Sequence, residues 1–359
     1  MVLKNSITLI KEQMKRIFVM LLIFSTAVLA GAGTVTVPAS DTRLEYSDCA
    51  VKKTVGTAVV FERTPLKHGR KYEFDNPGAR VRFCCNASEL SVELTYERRD
   101  DPVRAQNGTG VFLVDGAGRE EWTFHRADRK NRKPEMVRVL LPADGTLHTY
   151  ELVMPYADRV GVKAVICNAE TVFEKPVARP AHRCAFFGDS VTHGFTSSRV
   201  DRSYPYRIGR IKKWEVVNLG IGGIAMKSSY ADQLAAIPMD QLVIALGVNN
   251  WQGGSKPEDV RKNTEALLGR FRALKPDIPV VVMTPLWVPP TWKPKKAVYD
   301  LARYRQAIAQ AVKNGGLKNI TVVDGDQLID HDPALFDRIA VHPNDKGFEQ
   351  MAVRLAQHL

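Results

Sequence analysis

The sequence predicts two successive folds: an all-β, jelly-roll-like sandwich over residues 33–175 and an α/β domain with a doubly wound parallel sheet over residues 183–359. In the first half, short apolar runs alternate with polar residues at a period of two, the pattern of half-buried strands. In the second half, apolar runs alternate with amphipathic stretches long enough for helices. A proline-bearing segment, residues 176–182, separates the two patterns and is the predicted linker.

Residues 1–32 have the features of a secretory signal peptide. Two basic residues precede an uncharged, mainly apolar run of 14 residues, 17–30, and small residues then offer cleavage points after Ala30 or Ala32. This run falls short of the ~20 residues that a membrane-spanning helix needs. We therefore expect a secreted or periplasmic protein without a stable membrane anchor, with Met14 as an alternative start of translation to the first methionine.

The predicted strands of the sandwich are joined by segments rich in residues that tolerate turn geometry, such as 75–78, 115–118 and 144–145. The apolar runs themselves show no helical spacing, so we expect β-structure throughout this half. The runs occupy residues 58–61, 81–84, 90–94, 110–114, 137–140 and 150–153.

The second half contains five candidate buried strands with helical stretches such as 257–274 and 298–312 between them. Strands joined by helices run parallel, and the carboxyl ends of parallel strands meet in one crevice. Side chains that follow these strands are therefore expected to lie together although they are far apart in sequence. The strand candidates are residues 184–187, 215–219, 242–246, 280–283 and 320–323.

Charge and cysteine patterns argue against several classes of partner. The net charge is +12 at pH 7, but the basic residues are scattered among acids without a basic tract interleaved with aromatics, so we expect no nucleic-acid partner. The five cysteines lack CxxC or Cys/His spacing, and Asp330-His331-Asp332 lacks the spacing of a calcium loop. We expect neither a metal nor a cofactor. One or two disulfides within the first domain stay open, because the sequence does not choose a pairing.

Four residues with complementary chemistry lie at the predicted crevice. Ser190 follows a Gly-Asp pair at the end of the first parallel strand, Gly223 and Asn249 follow the second and third strands, and His342 precedes the last helix. Taken singly, the first three have ordinary structural alternatives: a helix N-cap, a turn glycine and a turn-forming asparagine. Their shared position at strand ends favours a common site.

This ordered set resembles the SGNH hydrolases, also called the GDSL esterase family, over about residues 183–359. The resemblance implies a three-layer α/β/α, flavodoxin-like domain with Ser190 as nucleophile and His342 as base. It also implies an oxyanion hole formed by the backbone N–H groups of Ser190 and Gly223 and the side-chain amide of Asn249. These roles suit the residue types, because a serine hydroxyl is a poor nucleophile until an imidazole accepts its proton. Amide hydrogens then stabilise the charge on the tetrahedral oxygen.

One position departs from the family pattern, which has Asp three residues before the histidine, where this chain has Ile339. Asp337, five residues before His342, is the predicted third triad member if the loop bulges. The alternative is a Ser-His dyad oriented by a backbone carbonyl. Together with an amino-terminal sandwich, the layout is similar to carbohydrate esterase family 2, which removes acetyl groups from plant-wall sugars.

Four further residues are predicted to bind the substrate. Asp189 and His193 flank the serine, and Trp251 and Trp287 follow strands at the same end of the sheet, where aromatic rings can stack on sugars. His193 is also the alternative to His342 as base. For the two tryptophans, burial in the core is the alternative.

The resemblance implies a secreted, metal-independent serine esterase that removes O-acetyl or other short acyl groups from acetylated oligo- or polysaccharides through an acyl-enzyme. Two alternatives stay open: a non-catalytic carbohydrate-binding protein on the same fold, and an esterase of short-chain esters or lipids. Hydrolysis that depends on Ser190 would separate an enzyme from a binding protein.

Overall fold

The computed structural model describes residues 33–62, 75–97, 109–123, 135–156, 159–179, 181–337 and 341–359. The predicted signal peptide, residues 1–32, lies outside this range. None of the helices in the described part of the chain is both long and apolar enough to cross a bilayer.

The amino-terminal half is built from antiparallel strands, as the period-two pattern predicts. The strands are β1 (Thr34–Pro38), β2 (Glu45–Ser47), β3 (Val51–Val55), β4 (Ala58–Glu62), β5 (Arg80–Cys85), β6 (Leu90–Glu97), β7 (Thr109–Val114), β8 (Ala117–Thr123), β9 (Glu135–Leu141), β10 (His148–Val153), β11 (Arg159–Asn168) and β12 (Phe173–Glu174). One sheet has the order β3-β4-β11-β6-β9, with β1 paired to β11. The other has the order β12-β5-β10-β7-β8, with β2 paired to β5.

A single hydrophobic cluster takes residues from both sheets. Val92 and Leu94 of β6 lie in one cluster with Phe83 of β5 and Tyr150 of β10. The rings of Phe83 and Tyr150 are stacked, with centroids 5.5 Å apart. Because alternate residues of a strand point to opposite faces, this cluster marks the inner faces of two packed sheets.

The carboxyl-terminal half is a parallel sheet with helices. Its strands are β13 (Arg183–Gly188), β14 (Glu215–Gly220), β15 (Gln241–Ala245), β16 (Val280–Met283) and β17 (Ile320–Val323), in the order β14-β13-β15-β16-β17. Its helices are α1 (Ser190–His193), α2 (Tyr204–Lys212), α3 (Ala231–Ala235), α4 (Val248–Gln252), α5 (Pro257–Leu274), α6 (Leu301–Gly315) and α7 (Asp345–Ala356). Every strand pair in this sheet is parallel.

Helices cover both faces of the parallel sheet, which gives the predicted three layers. Phe187 of β13 packs in one cluster with Leu267 of α5. Its neighbour Phe186 packs in another cluster with Ile208 of α2 and Phe348 of α7. The chain runs from β13 to β14 on one side and returns to β15 on the other. The crevice that this reversal leaves at the carboxyl end of β13 is where α/β sheets bind ligands.

The two halves share buried contacts within one compact unit, Val35–Leu359. The carboxylate of Asp48, in the turn after β2, lies 2.8 Å from Arg80 Nε and 2.5 Å from Arg179 Nη1. It also accepts a hydrogen bond of 2.8 Å from the N–H of Val216 on β14. Burial alone raises the pKa of Asp48, but the charges of Arg80 and Arg179 outweigh it, and the net shift is downward. Asp48 therefore links the antiparallel half to the edge of the parallel sheet.

We expect Asp48→Ala to lower the free energy of unfolding by about 3–5 kcal/mol, because it removes the carboxylate that pairs with the buried guanidinium of Arg80 and the partly exposed one of Arg179. Denaturant unfolding followed by circular dichroism measures this loss. Asp41→Ala is the matched control, since Asp41 forms an exposed ion pair with Arg43 and such pairs contribute less than about 1 kcal/mol. Equal losses in the two variants would contradict the prediction.

The same prediction has a pH dependence. Because the folded-state pKa of Asp48 is lowered, its contribution is complete above about pH 4, the ordinary pKa of an aspartate. The contribution disappears as the pH falls through the lowered pKa. The stability difference between wild type and Asp48→Ala should therefore shrink in acid.

Candidate active site

A tight turn at the end of β13 presents Ser190. Gly188 is the last residue of β13. A Cβ atom at this position would lie 2.7 Å from the carbonyl oxygen of Ala245 on β15, so glycine is required there. Asp189 then caps α1, with its Oδ1 accepting a hydrogen bond of 3.0 Å from the N–H of Val191. The Gly-Asp-Ser sequence thus builds the strand-to-helix turn and places the serine at the crevice.

Ser190 and His342 form a hydrogen-bonded pair. Oγ of Ser190 lies 2.8 Å from Nε2 of His342, although 152 positions separate the two residues. His342 is 9% exposed and lies shortly before α7. A hydroxyl at this distance can pass its proton to the ring. The structure therefore brings together the residues predicted as nucleophile and base.

The loop that carries Gly223 is joined to the helix that carries Asn249. Nδ2 of Asn249 donates a hydrogen bond of 2.9 Å to the carbonyl oxygen of Ile224. Gly223 adopts φ +77°, a left-handed conformation that glycine tolerates best. A side-chain amide has two hydrogens, so the bond to Ile224 leaves Asn249 with a second one to donate.

Strand β14 brings the Gly223 loop beside α1 through close packing at Gly220. A Cβ atom at Gly220 would collide with the backbone of His193. Asn218 completes the junction: its Nδ2 donates to the carbonyl oxygen of Thr192 at 2.8 Å, and its Oδ1 accepts from the N–H of Gly220 at 2.9 Å. Asn218 was not among the residues predicted for the site, although a polar residue near the end of a buried strand was an available signal.

The main chain of Asp337 is paired with the main chain of His342. Its N–H donates a hydrogen bond of 2.9 Å to the carbonyl oxygen of His342, next to an antiparallel bridge between Phe336 and Pro343. The hydrogen bond described between Asp337 and His342 thus joins main-chain atoms and does not involve the carboxylate of Asp337. Ile339 lies outside the described residues. A carboxylate role for Asp337 in a triad therefore stays a prediction.

Asp189 is a buried acid that lines a pocket. It is 2% exposed, and burial raises the pKa of its carboxyl to about 7 against the opposing effect of the Val191 N–H bond. The pocket has about 340 Å³ of empty space, open solvent included, and its wall is otherwise mainly apolar, with Val191, Val248 and Val341 among its residues. These three valines directly adjoin Ser190, Asn249 and His342 in sequence. Ser190, Asn249 and His342 are not themselves among the residues that line the pocket.

His193 faces away from the crevice and toward the antiparallel half. It is fully buried, its Nε2 lies 3.0 Å from the carbonyl oxygen of Tyr156, and its ring stacks on that tyrosine with centroids 3.9 Å apart. Asp75 Oδ2 lies 3.6 Å from Nε2. The structure therefore does not bring His193 to a position for substrate contact, because packing between the two halves occupies its ring.

The two tryptophans differ in their surroundings. Trp251 is 8% exposed and packs 5.6 Å from Trp292, with its Nε1 donating to the carbonyl oxygen of Tyr299 at 3.0 Å. It therefore lies in the core, where it is poorly placed to stack on a sugar. Trp287 is half-buried and lies 5.5 Å from the ring of Phe336, near the strand bridge beside His342.

The acidic segment around His331 makes local structural contacts. Asp330 binds Arg354, Asp332 caps the 3₁₀ turn that follows it, and the ring of His331 stacks on Trp287 at 5.0 Å. In the described part of the chain, no group of three or more His, Cys, Asp or Glu side chains has a metal-binding arrangement.

The region that contains the Ser190–His342 pair matches a known protein family. Residues 186–350 match the GDSL-like Lipase/Acylhydrolase family. Comparison with curated protein sequences gave no match.

Solved structures resemble nearly the whole chain. A salicylyl-acyltransferase from a tetracycline biosynthetic pathway has a TM-score of 0.73 at 18% identity, covering 90% of this chain and 96% of that one. A family two carbohydrate esterase from Cellvibrio japonicus has a TM-score of 0.66 at 14% identity, covering 91% and 97%. An acetyl xylan esterase from Butyrivibrio proteoclasticus has a TM-score of 0.63 at 11% identity, covering 91% and 98%.

At these identities the structural likeness shows a shared fold, with antiparallel sheets ahead of an α/β region. The activity class follows from the family match, which includes both members of the hydrogen-bonded pair. The carboxyl-terminal region of this chain is therefore an acylhydrolase domain of the GDSL/SGNH family, and the protein is a carboxylic ester hydrolase.

Proposed function

We propose that this chain is a serine esterase that removes acetyl or other short acyl groups from carbohydrate through an acyl-enzyme. The observation that carries the proposal is the 2.8 Å distance between Ser190 Oγ and His342 Nε2. A serine hydroxyl gains nucleophilicity when an adjacent imidazole accepts its proton, and this pair has the required geometry.

In the first step, Ser190 Oγ attacks the ester carbonyl carbon while its proton passes to Nε2 of His342. The carbonyl oxygen becomes an oxyanion, for which the N–H groups of Ser190 and Gly223 and the amide of Asn249 are the proposed donors. Each well-placed donor is worth about 3 kcal/mol. The imidazolium then gives its proton to the leaving sugar oxygen as the carbon–oxygen bond breaks, which leaves an acyl-enzyme.

In the second step, a water molecule attacks the acyl carbon and gives one proton to His342. The tetrahedral intermediate collapses, the bond to Ser190 Oγ breaks, and His342 returns the proton to the serine. The acid is released and the enzyme is restored. An alcohol in place of water would give acyl transfer, the activity for which one structural neighbour is named.

The pocket supports a short acyl group. Its apolar wall includes Val191, Val248 and Val341, and each of these directly adjoins a residue of the proposed site. An apolar pocket lined by sequence neighbours of the nucleophile favours burial of a few methyl or methylene groups at about 0.8 kcal/mol each.

Two observations support a carbohydrate as the alcohol part of the ester. Two solved structures that resemble this chain over at least 91% of its length are named as esterases of carbohydrate or acetyl xylan. The second observation is Trp287, a half-buried ring that packs against Phe336 and has one face stacked on His331. Amphipathic aromatic side chains of this kind suit the apolar face of a sugar.

We also propose that the protein is exported. The support is the sequence of residues 1–32, where a basic pair, an apolar run of 14 residues and small residues follow one another. Intact mass measurement of the protein from the culture medium or periplasm should give a mature chain that starts after Ala30 or Ala32.

Product analysis tests the proposed substrate class. The purified mature protein should release acetate from acetylated xylan or mannan and should hydrolyse p-nitrophenyl acetate faster than esters with long acyl chains. Hydrolysis of simple esters without release from any acetylated carbohydrate would refute the substrate class and leave an esterase of short-chain esters. Absence of hydrolysis from the whole panel would refute the esterase proposal.

A further inference from the structure

The loop after α1 contacts the segment that carries His342. We call residues 194–198 the nucleophile loop, since it starts four residues after Ser190, and residues 342–345 the base segment. The loop begins at Gly194, whose φ of +95° ends α1. Residues 195–198 then contact the base segment. The two segments are far apart in sequence, so side-chain contacts between them link the two members of the hydrogen-bonded pair.

Three contacts join the nucleophile loop to the base segment. The ring of Phe195 lies 4.5 Å from the imidazole of His342, tilted by 55°. The hydroxyl of Thr196 donates a hydrogen bond of 2.8 Å to the carbonyl oxygen of Pro343. Ser198 donates to the carboxylate of Asp345 from both its N–H, at 2.8 Å, and its hydroxyl, at 2.6 Å.

Thr196 makes its contact from an unfavourable backbone conformation. Its φ is +78°, a region in which β-branched residues are rare because the backbone crowds the Cβ atom. Glycine or asparagine adopts this conformation at lower cost, but neither would place a hydroxyl against Pro343. The carbonyl oxygen of Phe195 is a second acceptor within reach of the same hydroxyl, whose single hydrogen serves one of the two oxygens at a time. A strained residue whose side chain reaches the base segment points to a functional constraint.

Main-chain hydrogen bonds also join the base segment to residues 335–337. The N–H of Asn344 donates to the carbonyl oxygen of Leu335 at 2.9 Å, and the N–H of Asp337 donates to that of His342 at 2.9 Å. These bonds fix the base segment to the strand bridge. The nucleophile loop instead ties it to the turn that carries Ser190, only six residues from Thr196.

We propose that Thr196 is a positioning residue for His342, holding the Pro343 carbonyl so that the imidazole stays within hydrogen-bond distance of Ser190 while the proton moves between them. Phe195 supports the face of the same ring. The inference rests on the proposed function, because it concerns the Ser190–His342 proton transfer. Misplacement of a reacting group by about 1 Å can cost about 10²-fold in rate.

The test compares three substitutions at one position. Thr196→Val keeps the β-branched shape and removes the hydroxyl, Thr196→Ser keeps the hydroxyl, and Thr196→Gly removes both the hydroxyl and the backbone strain. Thr171→Val is the matched control, because the Thr171 hydroxyl donates a bond of 3.0 Å to Asn168 in the antiparallel half. The measurements are kcat and KM on p-nitrophenyl acetate, the rate at which a fluorophosphonate labels Ser190, and Tm.

We expect Thr196→Val and Thr196→Gly to lower kcat and the labelling rate about 10- to 100-fold with KM unchanged. Thr196→Ser should retain most of the rate, and Thr171→Val should retain all of it. Thr196→Gly should lose rate without losing Tm, since it relieves the strain at φ +78°. A purely structural role would instead make the rate follow Tm across the series.

Two results would overturn the inference while leaving the proposed function intact. One is a Ser190-dependent wild-type activity that Thr196→Val and Thr196→Gly retain in full. The other is an equal loss of rate in Thr196→Ser and Thr196→Val, which would remove the hydroxyl from the explanation. By contrast, equal hydrolysis by wild type and Ser190→Ala would refute the proposed function itself, whatever the Thr196 variants do.

Discussion

Ser190→Ala should reduce kcat on p-nitrophenyl acetate by a factor on the order of 10⁴ to 10⁶. The substitution removes the oxygen that attacks the ester and leaves His342, 2.8 Å away in the wild type, with no hydroxyl to activate. Binding and the oxyanion donors would survive, so KM should change little. Steady-state kinetics with acetate release from acetylated xylan as a second assay measures the effect.

The matched control for this prediction is Ser88→Ala, which removes an exposed serine hydroxyl in the antiparallel half. It should leave kcat and KM at wild-type values. If Ser190→Ala instead hydrolysed esters as fast as the wild type, the chemistry would lie elsewhere. Carbohydrate binding without turnover would then become the better interpretation of the crevice.

His342→Ala should lower kcat at least about 10³-fold, the cost of removing the base from a serine centre. The imidazole takes the serine proton in acylation and the water proton in deacylation, so both steps should slow. Added free imidazole should restore part of the rate in this variant, because the deletion leaves space beside Ser190. Rates with and without imidazole, measured against Ser190→Ala, which imidazole should not rescue, test the role directly.

His193→Ala provides the comparison for the choice of base. Its ring packs against Tyr156 and lies 3.6 Å from Asp75, so the expected effect is a lower Tm rather than a specific loss of kcat. A well-folded His193→Ala protein with a 10³-fold loss, beside an active His342→Ala protein, would mean that the base has been assigned to the wrong histidine.

Much of the fold was predictable because its strands follow simple periodicities. The predicted helix 257–274 coincides with α5, and strands β16 and β17 match residues 280–283 and 320–323. The ten-residue strand β11 was not predicted, although it is paired with three strands of its sheet, β1, β4 and β6. Its register shifts between Val162 and Ala164, and this bulge interrupts the alternation on which a period-two prediction depends.

The site residues that directly follow a strand could be predicted from the sequence. Ser190 and the Gly223 and Asn249 loops all lie at carboxyl ends of parallel strands, and this rule needs only the order of elements. The direction in which a side chain points depends on tertiary contacts, which local sequence does not reveal. His193 was placed at the crevice because it lies three residues from Ser190, but stacking on Tyr156 holds it toward the other half. The hydrogen bond from Thr196 to Pro343 joins residues that are 147 positions apart, so no local sequence pattern predicts it.

The mixed cluster between the halves has a consequence for how the molecule melts. Val111, Leu113 and Val153 from the antiparallel strands pack in one cluster with Val200 and Tyr206 from the α/β region, next to the Asp48 ion pairs. Unfolding of either region alone would expose to water apolar surface that the two regions bury together. Calorimetry should therefore record a single endotherm, and the α/β region expressed without its partner should be recovered as insoluble material.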